Sequence, residues 1–315
     1  MLPAEGGLST VAMKRRKMDF KAMQGEYAAL FTPFTKDNRI NTEMVGRLVE
    51  YQLAGGIRGF FVGGSTGEGM LLTLEERKRL LEAAIKANRG RGKVIAHVGA
   101  VRTEDSVELA RHAADAGSDW VSSVPPIYFA QSFEGTVYHY SQIAQATDLP
   151  FMVYAFNTNV EPERDACLFK IKNLRGMKFT NSNYYSIQQL RRWLDEPALF
   201  LNGKDELMVA ALSMGCFHGG IGTTQNIMPR HFAEICRLVL EENDVATAQP
   251  LQYEVNAVIA LMLKYGNMSY AKAMMRFIGL DCGFCRGPFP PVSEEQYARF
   301  ADELREQGIL EEGNN

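Results

Sequence analysis

The sequence predicts a (β/α)8 TIM barrel with a C-terminal helical extension. Three observations carry that prediction. Short apolar runs recur along the chain, amphipathic helix patterns fill the gaps between them, and the runs stop well before the C-terminus. The runs are Tyr27–Phe31, Gly59–Val62, Val94–Val98, Trp120–Val124, Phe151–Ala155, Gly176–Phe179, Leu199–Leu201 and Gly219–Gly222. Each is bounded by Gly, Pro or turn residues and does not alternate, as strands covered on both faces should not. Their starts lie roughly 20 to 35 residues apart, the length of one strand, one helix and two loops.

Between the first two runs, Ile40 to Gly55 has amphipathic spacing. After the second, Thr73 and Glu76 form a capping box ahead of RKRLLEAAIKAN. After the third, a helix starts at Thr103 and closes on Gly117. After the sixth, Ile187 to Leu194 repeats the pattern. From about Asp244 only helices remain, in TAQPLQYEVNAVIALMLKYG, SYAKAMMRFIGL and SEEQYARFADELREQG. The expected organisation is a disordered leader over residues 1–24, the barrel over 25–243 and the helical extension over 244–315. No low-complexity linker separates the last two, so they should pack together.

Composition excludes several classes. Of 315 residues, 46% are hydrophobic and 23% charged, average values for a globular chain. The 34 Lys and Arg against 37 Asp and Glu give a net charge of −3, without the basic excess of a nucleic-acid binder. The most apolar stretch, Val255 to Leu263, is about half the roughly 20 residues of a membrane span, so no membrane partner is expected. The basic cluster Lys14 to Lys17 has no apolar core behind it and reads as a solvated tail, with a nuclear or anionic-surface signal as the alternative. Five cysteines, an odd number, point to reduced thiols and a cytoplasmic home. Cys282 and Cys285 form a lone C-x-x-C, which reads as structural. His97, His112, His139 and His231 have no metal-ligand spacing, so no metal is expected.

Barrel chemistry sits where strands end. Those positions hold Gly63 to Glu68, Pro125 to Tyr128, Tyr154, Lys178, Asn202 to Glu206 and Gly222 to Thr224. Lys178 lies inside an apolar strand. Burial disfavours an ammonium and leaves a nucleophilic amine able to form a Schiff base with a carbonyl. The ordinary alternative is a strand-end lysine that snorkels or pairs with a carboxylate. Tyr154 on the adjacent strand, a hydroxyl able to move a proton, favours catalysis. Gly63-x-Ser65-x-Gly67 also fits a nucleophile elbow, with Asp205 and His218 following in hydrolase order. An elbow enters its helix directly, however, whereas the next helix here begins at Thr73. A turn that holds an anion such as a carboxylate fits better. GGIGTTQN could be a barrel phosphate site, yet it contains no basic side chain.

GGSTGEG, PPIY, MVY, GMKFT, NGKDE and GGIGTTQN, in that order between about Gly25 and Pro290, resemble the N-acetylneuraminate lyase/dihydrodipicolinate synthase family. The resemblance implies a metal-free, cofactor-free class I aldolase acting on a small keto acid through a lysine–pyruvate imine, as a homotetramer. It implies Lys178 as the Schiff-base lysine and Tyr154 as the proton-moving tyrosine. Ser65 and Thr66 match the pair that binds the pyruvate carboxylate. Tyr128 matches the tyrosine that reaches a neighbouring subunit's site. The lyase branch handles a polyhydroxyl tail with positions matched here by Thr180, Gly203, Asp205, Glu206, Gly222 and Thr223. The synthase branch has an arginine where this chain has Asn159. The family continues after its tyrosine with N-x-P and a glycine, and runs a few residues longer to its lysine. Here the chain reads Tyr154-Ala155-Phe156-Asn157-Thr158-Asn159-Val160, a departure in the acceptor half of the site. The implied activity is cleavage of a 2-keto-3-deoxy sugar acid, N-acetylneuraminate foremost, to pyruvate and an aldehyde. Another pyruvate-dependent family activity and a non-catalytic keto-acid-binding role stay open.

Overall fold

The computed structural model describes residues 20–129, 131–266 and 268–313. Among the described residues, eight parallel strands close into a barrel in sequence order. They are β1 (Gly25–Ala29), β2 (Gly59–Val62), β3 (Lys93–His97), β4 (Trp120–Ser123), β5 (Phe151–Phe156), β6 (Leu174–Thr180), β7 (Leu199–Asn202) and β8 (Gly219–Gly222). The helices outside are α1 (Thr42–Ala54), α2 (Leu74–Asn88), α3 (Thr103–Ala116), α4 (Phe133–Gln145), α5 (Pro162–Ala166), α6 (Tyr184–Arg192), α7 (Met208–Ser213) and α8 (Pro229–Leu240). Three more follow: α9 (Val245–Tyr265), α10 (Met268–Phe277) and α11 (Glu294–Gln307).

The caps read from sequence are present. Thr73 and Glu76 bond each other's backbone at the start of α2, and Gly117 closes α3 in the left-handed region at φ 93°. The first strand is displaced from its apolar run. Pairing with β8 begins at Gly25 opposite Gly219, so β1 spans Gly25–Ala29 rather than Tyr27–Phe31. Hydropathy missed this because Glu26 lies inside the strand and is buried. Phe20–Met23, at the end of the segment expected to be a disordered leader, forms a 3-10 turn. Residues 1–19 of that segment, with Lys14 to Lys17, lie outside the described residues.

Side-chain alternation divides the core in two. Tyr27, Ala29, Phe61, Ile95, Trp120, Met152, Tyr154, Leu199, Leu201 and Ile221 fill the barrel, and a larger apolar layer lies between strands and helices. Met23 closes the floor, its carbonyl accepting the Tyr27 hydroxyl at 2.9 Å. His218, just before β8, packs on the Phe20 ring at the same end.

Glu26 faces outward from β1 and accepts from Gln225 Nε2 at 2.9 Å. Burial pushes its carboxyl from 4.5 up to about 8. The folded chain therefore keeps a proton that the unfolded chain releases near its ordinary value. Stability from neutral Glu26 is full at low pH and is lost as pH climbs from about 4.5 to about 8. Glu26→Gln keeps the shape and the acceptor without the ionisation. Denaturant titrations should show the variant gaining on the wild type as pH rises toward 8, by roughly a few kcal/mol. Parallel stability curves would refute this.

The extension is fastened to the barrel. Gln252 of α9 donates to the Asp205 carbonyl at 3.0 Å and accepts from Val209 N at 2.9 Å. Lys272 of α10 is fully buried, its amine 2.7 Å from Glu68 and donating to the Thr32 and Phe284 carbonyls, each at 2.7 Å. Arg286 bonds both carboxylate oxygens of Glu76. Cys282 and Cys285 are buried free thiols, each pushed up to about 12 by burial. No helix of the described residues is long and apolar enough to cross a membrane.

Candidate active site

β5 and β6 pair with Tyr154 opposite Lys178 and Phe156 opposite Thr180. The period of two turns Tyr154 and Lys178 inward on the same level of the barrel. Lys178 is only 5% exposed. Its amine lies 4.1 Å from the Tyr154 ring centroid and 4.6 Å from that of Phe61. Among the described residues no carboxylate is paired with this amine, which sits in an aromatic enclosure.

His97, noted from sequence only as lacking metal-ligand spacing, is a wall of the enclosure. Its ring stands edge-on to Tyr154 at 6.0 Å and tilted to Phe61 at 5.7 Å. Burial, with Arg77 and Lys178 nearby, pushes it down to about 3, so it is a neutral imidazole. Its Nδ1 donates to the Gly63 carbonyl at 3.1 Å. The sequence signal was available, since His97 follows inward Ile95 by two residues on β3.

The turn after β2 reaches over this enclosure. Gly63 sits at φ 76°, and a side chain on Gly69 would collide with the Gly63 carbonyl. Ser65 is exposed and Thr66 is buried. Thr66 Oγ1 is 2.7 Å from Thr223 Oγ1, joining the turn to the loop after β8. The Thr32 hydroxyl donates to the Gly67 carbonyl at 2.5 Å. Glu68, held at φ 55°, leaves the turn for the buried ion pair with Lys272.

The polar side is built on β6, β7 and β8. Thr180 Oγ1 is buried without a hydrogen-bond partner. Any side chain on Gly203 would collide with it, and any on Gly222 would collide with Asp205 Oδ1. Asp205 Oδ2 accepts from Thr224 N at 2.7 Å, and burial pushes its carboxyl up to about 6. Glu206 is half-exposed and 2.9 Å from Lys204 Nζ. Thus Lys178, Tyr154, Thr66, Thr180, Gly203, Asp205, Gly222 and Thr223 gather around the C-terminal ends of the strands, with Ser65 and Glu206 at the rim.

Tyr128 does not join them within one chain. It is 89% exposed at φ 70°, packed edge-on against Phe129 at 4.9 Å. The hydrolase arrangement is also absent: His218 bonds Phe200 N at the barrel floor, opposite Ser65 and Asp205. A phosphate at the β8 loop is disfavoured because Asp205 already takes the Thr224 amide. No group of three or more His, Cys, Asp or Glu that could hold a metal occurs among the described residues.

The model of the dihydrodipicolinate synthetase family matches residues 22–307. The chain is 36% identical over 280 residues to the N-acetylneuraminate lyase of Rhizobium meliloti (strain 1021), covering 88% of this chain and 92% of that protein. It is 38% identical over 281 residues to the N-acetylneuraminate lyase of Salmonella paratyphi B, covering 87% and 94%. Among solved structures, CdNal from Clostridium difficile, in complex with mannosamine, superposes with a TM-score of 0.85 at 29% identity, over 90% of this chain and 99% of that one. N-acetylneuraminate lyase from Fusobacterium nucleatum, complexed with pyruvate, gives 0.84 at 29% identity, over 91% and 97%.

Proposed function

The chain belongs to the dihydrodipicolinate synthetase family, and from that premise we propose that it is a class I aldolase cleaving a 2-keto-3-deoxy sugar acid, N-acetylneuraminate foremost, to pyruvate and an aldehyde. The observation that carries this reading is the near-contact of the buried Lys178 amine with Tyr154. The Lys178 amine adds to the C2 carbonyl and water leaves, with one proton from the Tyr154 hydroxyl, giving a protonated imine and a Tyr154 oxygen ready to accept a proton. The Tyr154 oxygen takes the proton of the C4 hydroxyl, and the C3–C4 bond breaks. Its electron pair moves into the imine to give an enamine, while C4 leaves as the aldehyde. Return of a proton to C3 and addition of water release pyruvate and restore the amine. Ser65 and Thr66 hold the carboxylate, and Thr180, Gly203, Asp205, Glu206, Gly222 and Thr223 line the tail.

Neither metal nor organic cofactor enters this sequence. Asn159, standing where the synthase branch has an arginine, disfavours an acceptor with its own carboxylate. The exposure and positive φ of Tyr128 support its service in a neighbouring subunit of a homotetramer. The free thiols fit a reducing, cytoplasmic compartment. Incubation with pyruvate and borohydride is expected to leave one reduced adduct, on Lys178 by peptide mass mapping. A protein that cleaves N-acetylneuraminate and takes no adduct would overturn the imine.

A further inference from the structure

Phe156 is the second residue of the stretch that departs from the family after Tyr154, and its position gives it a role. β5 turns Met152 and Tyr154 into the barrel, so Phe156 points the same way at the open rim, opposite Thr180. Its ring meets the Tyr154 ring edge-on at 5.5 Å and is 45% exposed. An aromatic face half-open to solvent thus stands one step above the reacting pair. Beside it on β6 is the partnerless Thr180 hydroxyl, and after the next strand, β7, come the carboxyls of Asp205 and Glu206. The rim therefore passes from an apolar stretch on β5 to a polar stretch over β6 and β7.

We propose that Phe156 determines acceptor specificity by packing against the C–H face of the substrate chain beyond C4. The hydroxyls of that chain then turn toward Thr180, Asp205 and Glu206. This rests on the aldolase reading above and sharpens its substrate class. It selects long, uncharged polyhydroxyl tails, which have both an apolar face and hydroxyls. It disfavours a tail ending in carboxylate, which would be desolvated against the ring with no arginine to pair it.

The test compares full-length Phe156→Ala, Phe156→Leu and Phe156→Tyr with wild type. Phe156→Ala should raise KM for N-acetylneuraminate by about tenfold, with kcat little changed. For a short 2-keto-3-deoxy acid lacking carbons beyond C5, KM should stay within about twofold. Borohydride trapping of pyruvate should keep its wild-type rate, Phe156→Tyr should restore KM, and Phe156→Leu should fall between. Equal KM in wild type and Phe156→Ala overturns the proposal, as does equal impairment on the short acid. A changed oligomeric state in Phe156→Ala also overturns it, by making the ring an interface residue. Absence of any pyruvate adduct in the wild type instead overturns the aldolase reading. A wild type that traps and cleaves, with variants that do not differ, removes only the role of Phe156.

Discussion

Lys178→Arg is expected to abolish pyruvate release, a loss of about 10⁴-fold or more in kcat, without unfolding the barrel. A guanidinium stays protonated and forms no imine under these conditions, so the covalent route closes while the bulk of the side chain remains. The same variant should take up no borohydride-trapped pyruvate, and its circular dichroism and melting curve should match the wild type closely. Retained turnover at more than a few per cent of wild type would show that the reaction does not pass through Lys178. Tyr154→Phe separates the two halves of the step. It keeps the ring beside the amine but removes the oxygen proposed to handle the C4 proton, so imine trapping should survive at a reduced rate while carbon–carbon cleavage falls by about 10²–10⁴-fold. Loss of trapping together with cleavage would count against that division of labour.

The second large effect concerns Glu68 and Lys272. Both side chains are withdrawn from solvent, so removing one partner strands a charge where water cannot reach it. Lys272→Met is expected to destabilise the protein by about 3–5 kcal/mol in urea titrations. Glu68→Gln with Lys272→Met should recover part of that loss, because no lone charge remains. Glu68 leaves the same turn as Ser65 and Thr66, so both variants should also weaken pyruvate binding, read as a higher pyruvate concentration for half-maximal trapping. Single variants as stable as wild type would show the pair to be dispensable.

Much of the fold was legible because barrel signals are local. A covered parallel strand is a short apolar run, and a helix start or stop is a cap within a few residues. Lys178 and Tyr154 were legible for the same reason, as lone polar groups inside such runs. What sequence did not disclose depends on distance or parity. Glu68 and Lys272 meet only after the chain has closed the barrel and returned. His97 was passed over because only the parity of β3, two residues on from Ile95, marks it as facing inward, and parity is invisible until the strand's inner face is known. The start of β1 was missed because a buried carboxyl breaks the apolar pattern, although Gly25 is where pairing begins. Tyr128 matched a motif, yet in its own chain it stands exposed and apart from the other matched residues, which sequence spacing alone did not disclose.

The closed floor of the barrel has a kinetic consequence. Met23 and Tyr27 seal the end opposite Lys178, so substrate and both products share one doorway. On the imine route proposed above, pyruvate stays bonded to Lys178 at the bottom of that passage while the aldehyde lies above it, so the aldehyde should depart first and release should be ordered. Pyruvate should act as a competitive inhibitor against the sugar acid and the aldehyde as a noncompetitive one, a pattern that initial-rate measurements with added products would reveal.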